Sequence, residues 1–374
     1  MTKRSEVHLA CVVGARPNFM KMAPLLRALA AYPRLRPVLI HTGQHYDENL
    51  SDVFFEDLGM KRPEICLEVG SGKHGEQTAR ILERVEAVLE SGPARGGRYA
   101  RLIVVGDVNS TMAAALAAAK LGIPVAHVEA GLRSFDRTMP EEINRIVTDA
   151  ISDMLLVSEP AGLENLRREG HPERHLHLVG NVMIDTLLGL LPKAQARDTL
   201  ARHGLRPGEY GVVTLHRPAN VDRPEVLGPL VDVLREASKE LRLVFPIHPR
   251  TRERLQRFGL MDRMNGNGLA PLAPLGYLDF LALTSQARLI VTDSGGLQEE
   301  STALGVPCLT MRPNTERPIT VELGTSTLIG NDAEALRARL REVLGGNYKQ
   351  GQRPALWDGR AAERIAAILD KEAT

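Results

Sequence analysis

The stretch VHLACVVGARPNFMKMAPLLRALAA at residues 7–31, followed by PVLIH at 37–41, sets the fold. Val7–Val13 is an apolar run, Gly14-Ala15-Arg16-Pro17-Asn18 interrupts it, Met20–Ala31 is amphipathic, and Pro37–His41 is apolar again. Strand, loop, helix, strand is the unit of a parallel sheet, because two parallel strands need a crossover and a helix supplies it. The unit recurs as the strand Leu102–Val105, the turn Gly106-Asp107, the alanine-rich helix Ser110–Leu121 and the strand Pro124–Val128, with a further strand at Met154–Ser158. It starts afresh near Gly180. Strands at Val212–Leu215 and Leu243–Ile247 flank the helix Pro224–Lys239, and strands at Arg288–Thr292 and Pro307–Met311 flank another helix. The prediction is an α/β protein of two Rossmann-like, doubly wound domains. The first covers 1–178 and is joined by a C-terminal helix within 358–374, where Arg360–Lys371 has helical periodicity; the second covers 179–357. Ligands of open parallel sheets bind beyond the carboxyl ends of the strands, so the cleft between the domains is the expected site.

A chain of 374 residues suits two such domains. Forty-seven basic against forty-six acidic residues leave a net charge of +1, which gives no field for nucleic acid or an anionic membrane. Any anion site must be local. Cys11, Cys66 and Cys308 are far apart, and two sit in apolar runs, which fits thiols of a reducing compartment rather than a disulfide or a zinc cluster. No apolar run approaches the ~20 residues of a membrane span, and Met1–Glu6 is too polar to begin a secretion signal. A soluble cytoplasmic protein is expected.

The stretch VTDSGGLQEE, Val291–Glu300, carries the most chemistry. An apolar strand runs into a small-residue turn that opens a helix. Ser294, Gly295 and Gly296 can bring backbone N–H groups against a diphosphate, favoured by the positive end of the helix dipole, and Glu299 or Glu300 can reach a ribose diol. A Gly-Gly pair can also simply make a tight turn. Arg16 and Lys21, after the first strand, can face an anion, whereas the absence of G-x-G-x-x-G there leaves a nicotinamide site unsupported. Asp107, Glu129 and the pair Glu141-Glu142 fall at strand ends or in the loops beyond; brought together, their mutual repulsion would separate them into an ionised base and a protonated acid. A solvated helix face is the expectation for Glu142, while Glu129, directly after an apolar strand, needs a partner. His216-Arg217 and His248 follow two strands of the second half, and Arg312 and Glu316-Arg317-Pro318 follow a third, where Arg317 can add a cation to the diphosphate.

In order and separation these segments resemble the non-hydrolysing UDP-N-acetylglucosamine 2-epimerases. The matching pieces are Gly14-Ala15-Arg16-Pro17 with Lys21-Met22-Ala23-Pro24, Gly43-Gln44-His45, Gly106-Asp107, His127–Arg133, Pro140–Arg145, Gly180-Asn181 with Asp185, His216-Arg217, Thr292–Glu300 and Glu316-Arg317-Pro318. The resemblance implies a glycosyltransferase-B-like fold, a UDP-sugar substrate, a homodimer, and a place in cell-surface polysaccharide synthesis. It implies neither a metal nor another cofactor. It assigns Arg16, Ser294, Gly295, Gly296 and Arg317 to the diphosphate, Glu300 to the ribose, and Phe280 and His248 to the nucleotide pocket. Lys21, Asp107, Glu129, Glu141 and His216 surround the sugar. Two departures stand out. Gln44-His45-Tyr46-Asp47 and Ser71-Gly72-Lys73-His74 lack the residues with which many bacterial members bind a second, activating substrate molecule, and Ala219 replaces a common glutamate beside His216.

The implied reaction inverts C2 of an N-acetylated sugar. With no nicotinamide site, the expected route is anti elimination of UDP to a glycal and re-addition, with one of Asp107, Glu129 and Glu141 as base and His216 or a second carboxylate serving the opposite face. Competing expectations are a hydrolysing 2-epimerase, an epimerase of a related UDP-2-acetamido sugar, a retaining glycosyltransferase, and a catalytically silent UDP-sugar binder.

Overall fold

A computed structural model describes residues 6–44, 52–94, 96–264 and 268–373, so the expectations for Met1–Ser5 and for His45, Tyr46 and Asp47 lie outside the described residues. The chain divides into two compact units, Met1–Thr186 with Ala355–Thr374, and Leu187–Pro354.

The first unit holds strands β1 (Val7–Val13), β2 (Leu35–His41), β3 (Ile65–Cys66), β4 (Tyr99–Val105), β5 (Val125–Ala130), β6 (Met154–Val157) and β7 (Leu176–Leu178). They form one parallel sheet in the order β3-β2-β1-β4-β5-β6-β7. The order reverses between β1 and β4, which makes the loops after those two strands the walls of the crevice where such sheets take ligands. Helix Asn109–Lys120 lies against the sheet and against helix His74–Ser91. Ala113, Ala114, Ala115, Ala117 and Ala118 are all fully buried, since only methyl side chains let three layers approach so closely. Ala10, Val12, Ile40, Leu102, Val104 and Val125 meet Ile81, Val85 and Leu89 in that core.

The chain returns to this unit at its end. Helix Ala361–Glu372 packs on helix Arg16–Leu29, and Asp370 and Glu372 pair with Arg34 and Arg101 at 2.6 and 2.9 Å. Asp185 accepts the first N–H groups of that helix, from Ala361 at 3.1 Å and Ala362 at 2.7 Å. This tie holds the start of helix Val182–Gln195 in the first unit, which runs through Thr186. Burial pushes the Asp185 carboxyl up to about 6, against the two N–H donors.

The second unit holds β8 (Tyr210–Thr214), β9 (Arg242–Pro246), β10 (Leu269–Leu272), β11 (Leu289–Thr292), β12 (Cys308–Thr310) and β13 (Ser326–Leu328). These are parallel in the order β10-β9-β8-β11-β12-β13, with the reversal between β8 and β11. Alternate residues serve two cores. Val213, Leu243, Phe245, Leu289, Val291 and Leu309 face one, and Tyr210, Val212, Val244, Ile290 and Cys308 face the other, as a sheet covered on both sides requires. Among the described residues no helix is long and apolar enough to cross a membrane.

Candidate active site

In the first unit the crevice is built by one asparagine. Asn18 accepts the N–H groups of Gly14 and Ala15 at 3.1 and 3.0 Å, and donates to the carbonyl of Val105 at 2.9 Å. The loop after β1 is thereby fixed to the end of β4. Gly14 is required because a Cβ there would lie 2.2 Å from the Ser110 hydroxyl. The helix expected from Met20 begins at Arg16, whose guanidinium carbon lies 5.2 Å from the centre of the Phe54 ring.

Lys21, buried on that helix, reaches the carboxylate of Glu129 at 2.7 Å. The strand expected to stop at Val128 continues through Ala130, and the register on β6 shifts between Val128 and Ala130. Glu129 sits at that irregularity with φ +74°, a left-handed conformation unusual for a residue with a Cβ. The bulge turns its side chain toward Lys21 rather than into the sheet. Gly106, with φ +68°, gives Lys21 room, since a Cβ there would lie 2.9 Å from its ammonium.

Asp107 is half-buried and pairs with Arg145. The same guanidinium holds Glu142 at 2.6 Å. Glu142 also accepts Ser134 N–H at 3.0 Å, Ser134 Oγ at 3.1 Å and Phe135 N–H at 2.9 Å. The expectation of a solvated Glu142 is therefore corrected: it is 1% exposed, and its carboxylate staples the loop that leads into helix Pro140–Ala150. Burial raises the Glu142 carboxyl, but Ser134 and Arg145 bring it below the usual range. Glu141 stands exposed in the first turn of the same helix. Rather than facing one another, Glu129 meets Lys21, and Asp107 shares Arg145 with Glu142.

In the second unit Asp293 is the organising group. Fully buried, it accepts from the backbone of His216 at 2.9 Å and of Arg217 at 2.8 Å, from Asn220 at 3.0 Å, and meets His216 Nδ1 at 2.9 Å. Burial raises its carboxyl, but the bonds from His216 and Asn220 hold it below the usual carboxylate range. His216 thus has Nδ1 engaged and its ring partly exposed. His248 caps helix Pro249–Arg257 through Nδ1, and its ring centre lies 5.5 Å from that of His216. Burial and the neighbouring His216 lower its pKa.

Helix Gly295–Leu304 opens at Ser294, as the small-residue turn predicts, and the Ser294 hydroxyl does not cap it. Its first N–H groups therefore remain available to an anion. Arg312 and Arg317 stand beside them: a Cβ on Gly295 would lie 3.1 Å from Arg317 Nη1 and 3.5 Å from Arg312 Nη1. Arg317 pairs with Glu316 and, at 2.7 Å, with Glu299. Arg312 bonds Glu316 at 2.8 Å and keeps a buried Nη1 without an acceptor among the described residues, making it a second cation at this turn. Glu300 accepts the Tyr277 hydroxyl at 3.1 Å; burial pushes its carboxyl up to about 7, and Glu299 adds to the shift. Phe280 packs half-buried against the core behind this turn.

The UDP-N-acetylglucosamine 2-epimerase family model matches residues 27–370. The chain belongs to that family. A UDP-N-acetylglucosamine 2-epimerase of Methanococcus maripaludis is 42% identical over 367 residues, covering 96% of this chain and 98% of the relative. A UDP-2,3-diacetamido-2,3-dideoxy-D-glucuronate 2-epimerase of Pseudomonas aeruginosa is 38% identical, covering 96% and 98%. The solved Methanocaldococcus jannaschii UDP-GlcNAc 2-epimerase, in complex with UDP-GlcNAc and UDP, superposes with a TM-score of 0.87 at 42% identity over 98% of this chain and 100% of that one. The family membership agrees with the glycosyltransferase-B-like fold that the resemblance implies and with the two parallel sheets described above. For this 2-epimerase family member the sequence reading missed Asn18, Arg145, Asp293 and Tyr277 as organising residues. Arg145 and Asp293 lay inside stretches already quoted, and a buried polar residue at a strand end was the signal that could have found Asp293.

Proposed function

We propose that this epimerase-family chain inverts C2 of UDP-N-acetylglucosamine reversibly, giving UDP-N-acetylmannosamine. The observation that carries the reading is the near full-length match, at 42% identity, to an epimerase solved with UDP-GlcNAc and UDP. In the α-linked chair the C2 hydrogen and the C1 phosphate are both axial and anti. A carboxylate takes the proton, its electron pair forms the C1=C2 bond, and the C1–O bond breaks as UDP leaves. Protonation of the glycal on the other face and return of UDP to C1 complete the inversion. The second unit serves the nucleotide: the Ser294–Gly296 turn, Arg317 and Arg312 offset charge developing on the diphosphate, and Glu300 takes the ribose. The first unit serves the sugar, through Lys21, Asp107, Glu129 and Glu141, with Arg16 toward the diphosphate. His216, oriented by Asp293, or a second carboxylate serves the opposite face.

The Pseudomonas relative supports one second reading, a substrate with a C3 acetamido group and a C6 carboxylate. Proton NMR of purified protein with UDP-GlcNAc alone separates the cases. The expected result is a stable mixture of the two UDP-sugars with no free UDP accumulating. Free N-acetylmannosamine appearing in step with UDP would mean a hydrolysing enzyme, and turnover only of the diacetamido uronate would transfer the reaction to that substrate.

A further inference from the structure

Asp107 and Glu129 follow β4 and interrupt β5, and one buried network spans both places. His127, on β5 and fully buried, has Nδ1 2.6 Å from Asp149 Oδ1 and Nε2 2.8 Å from the carbonyl oxygen of Gly106, the residue before Asp107. Asp149, on helix Pro140–Ala150, uses its other oxygen for the N–H of Gly131 at 3.0 Å and for Arg133 at 2.7 Å. Arg133 turns to Glu169 as well, at 2.8 and 2.7 Å. The network therefore grips the backbone just before Asp107 and two residues beyond Glu129.

The atoms facing the His127 ring are a carboxylate oxygen and a carbonyl oxygen, and both only accept. A neutral imidazole carries one N–H, so it would set a nitrogen lone pair against one of them. Both contacts are hydrogen bonds only when both ring nitrogens carry hydrogen. Charge counting agrees. The groups facing this cluster are Asp149 from the helix, the Gly106 carbonyl from the loop after β4, and Arg133 with Glu169 on the far side of Asp149. With the ring doubly protonated, two cations meet two anions; with a neutral ring the buried Asp149 would share its one remaining cation, Arg133, with the exposed Glu169. Burial pushes the Asp149 carboxyl up, yet His127 and Arg133 hold it below the usual range.

We propose that His127 is a buried imidazolium clamped by Asp149, and that this pair is the positioning element of the catalytic centre, fixing the loops that carry Asp107 and Glu129. The proposal rests on the epimerase reading above. Its structural rationale is the backbone between His127 and Gly131. Glu129 has φ +74°, and a residue with a Cβ persists there only where its surroundings over-determine it, whereas Gly131 adopts φ +80° freely. The ring side chain holds one end and the Gly131 N–H bond the other. Neither His127 nor Asp149 touches the substrate in this account; they act through the backbone they hold.

Long-range proton–nitrogen NMR of histidine-labelled wild-type protein at pH 7.5 tests the protonation state. The expected result is one ring with both nitrogens protonated and both N–H hydrogens slow to exchange, as full burial dictates. Absence of such a ring overturns the imidazolium. Kinetics of Asp149→Asn test the positioning: kcat for UDP-GlcNAc should fall at least tenfold, with KM and UDP affinity within about twofold. Unchanged kcat, or kcat and affinity lost together in a folded protein, overturns the role. Should Asp149→Asn not fold, His127→Gln, which keeps a donor for the Gly106 carbonyl, is read on the same criteria. Wild-type protein inert toward UDP-GlcNAc would refute the epimerase reading instead, while leaving the NMR result to stand or fall by itself.

Discussion

Lys21→Met is the most informative single substitution in the first unit. Lys21 and Glu129 are 7% and 4% exposed, and their charges are 2.7 Å apart. At an effective dielectric of about 20 that separation corresponds to about 6 kcal/mol of attraction. Desolvation of the two ions offsets most of it, so the pair contributes little net stability. Removing the ammonium alone is different: the Glu129 carboxylate stays buried without that cation, at a cost of about 3–5 kcal/mol. For a unit of this size, at about 2–4 °C per kcal/mol, the midpoint of the first unit should drop by roughly 6–20 °C. The double variant Lys21→Met, Glu129→Gln removes both charges at similar volume and should cost roughly 1–3 kcal/mol, less than the single change. Calorimetric or urea unfolding of wild type, both single variants and the double variant closes the cycle; Glu129→Gln, which strands the ammonium, should also cost about 3–5 kcal/mol, so the expected coupling is about 3 kcal/mol or more. A Lys21→Met midpoint within about 1 °C of wild type, or additive losses in the double variant, would refute the buried pair as the support of Glu129.

Two further outcomes follow from the nucleotide side. Glu300 has its carboxyl raised from 4.5 to about 7, so between those values the folded protein holds a proton that the unfolded chain releases, and the group's contribution to stability falls as pH rises through that window. Accepting two ribose hydroxyls needs the carboxylate; UDP binding at about pH 6.5 should therefore release protons beyond those of the UDP phosphate, seen as buffer-dependent calorimetric enthalpy, and Glu300→Gln should lower the release to the phosphate's share. Identical release in both proteins would remove Glu300 from the ribose. Gly295→Ala places a Cβ 3.1 Å from Arg317 Nη1 and Glu316 Oε1 at the mouth of the helix N-terminus. UDP affinity by titration calorimetry should fall at least tenfold, about 1.4 kcal/mol, with little change in melting temperature; unchanged affinity would place the diphosphate elsewhere.

The strands and crossovers were legible because apolar runs and Gly-rich turns repeat at regular spacing, and the Ser294 turn opens its helix where the sequence places it. Helix His74–Ser91 went unassigned although Gln77, Ile81, Val85 and Leu89 mark one buried face at four-residue intervals. Strands such as β3, two residues long, are too short to show any period. The site was legible as a set of residue types but not as a set of pairs. Lys21 with Glu129, and Arg145 with Asp107, join distant parts of the chain. No spacing rule reports such pairings, so repulsion among the acids was expected where the fold supplies cations. Glu142 misled for a related reason: its donors come from Ser134 and Phe135, whose turn brings them back over the helix start.

The central claim is that UDP leaves C1 as a base removes the C2 proton, and that both steps reverse. Incubating the protein with UDP-GlcNAc in deuterated water and following C2 by NMR and mass spectrometry tests it most directly. The account predicts that UDP-N-acetylmannosamine forms with one deuterium at C2, and that recovered UDP-GlcNAc gains the same label as equilibrium is reached. Product formed with its original C2 hydrogen intact would contradict it.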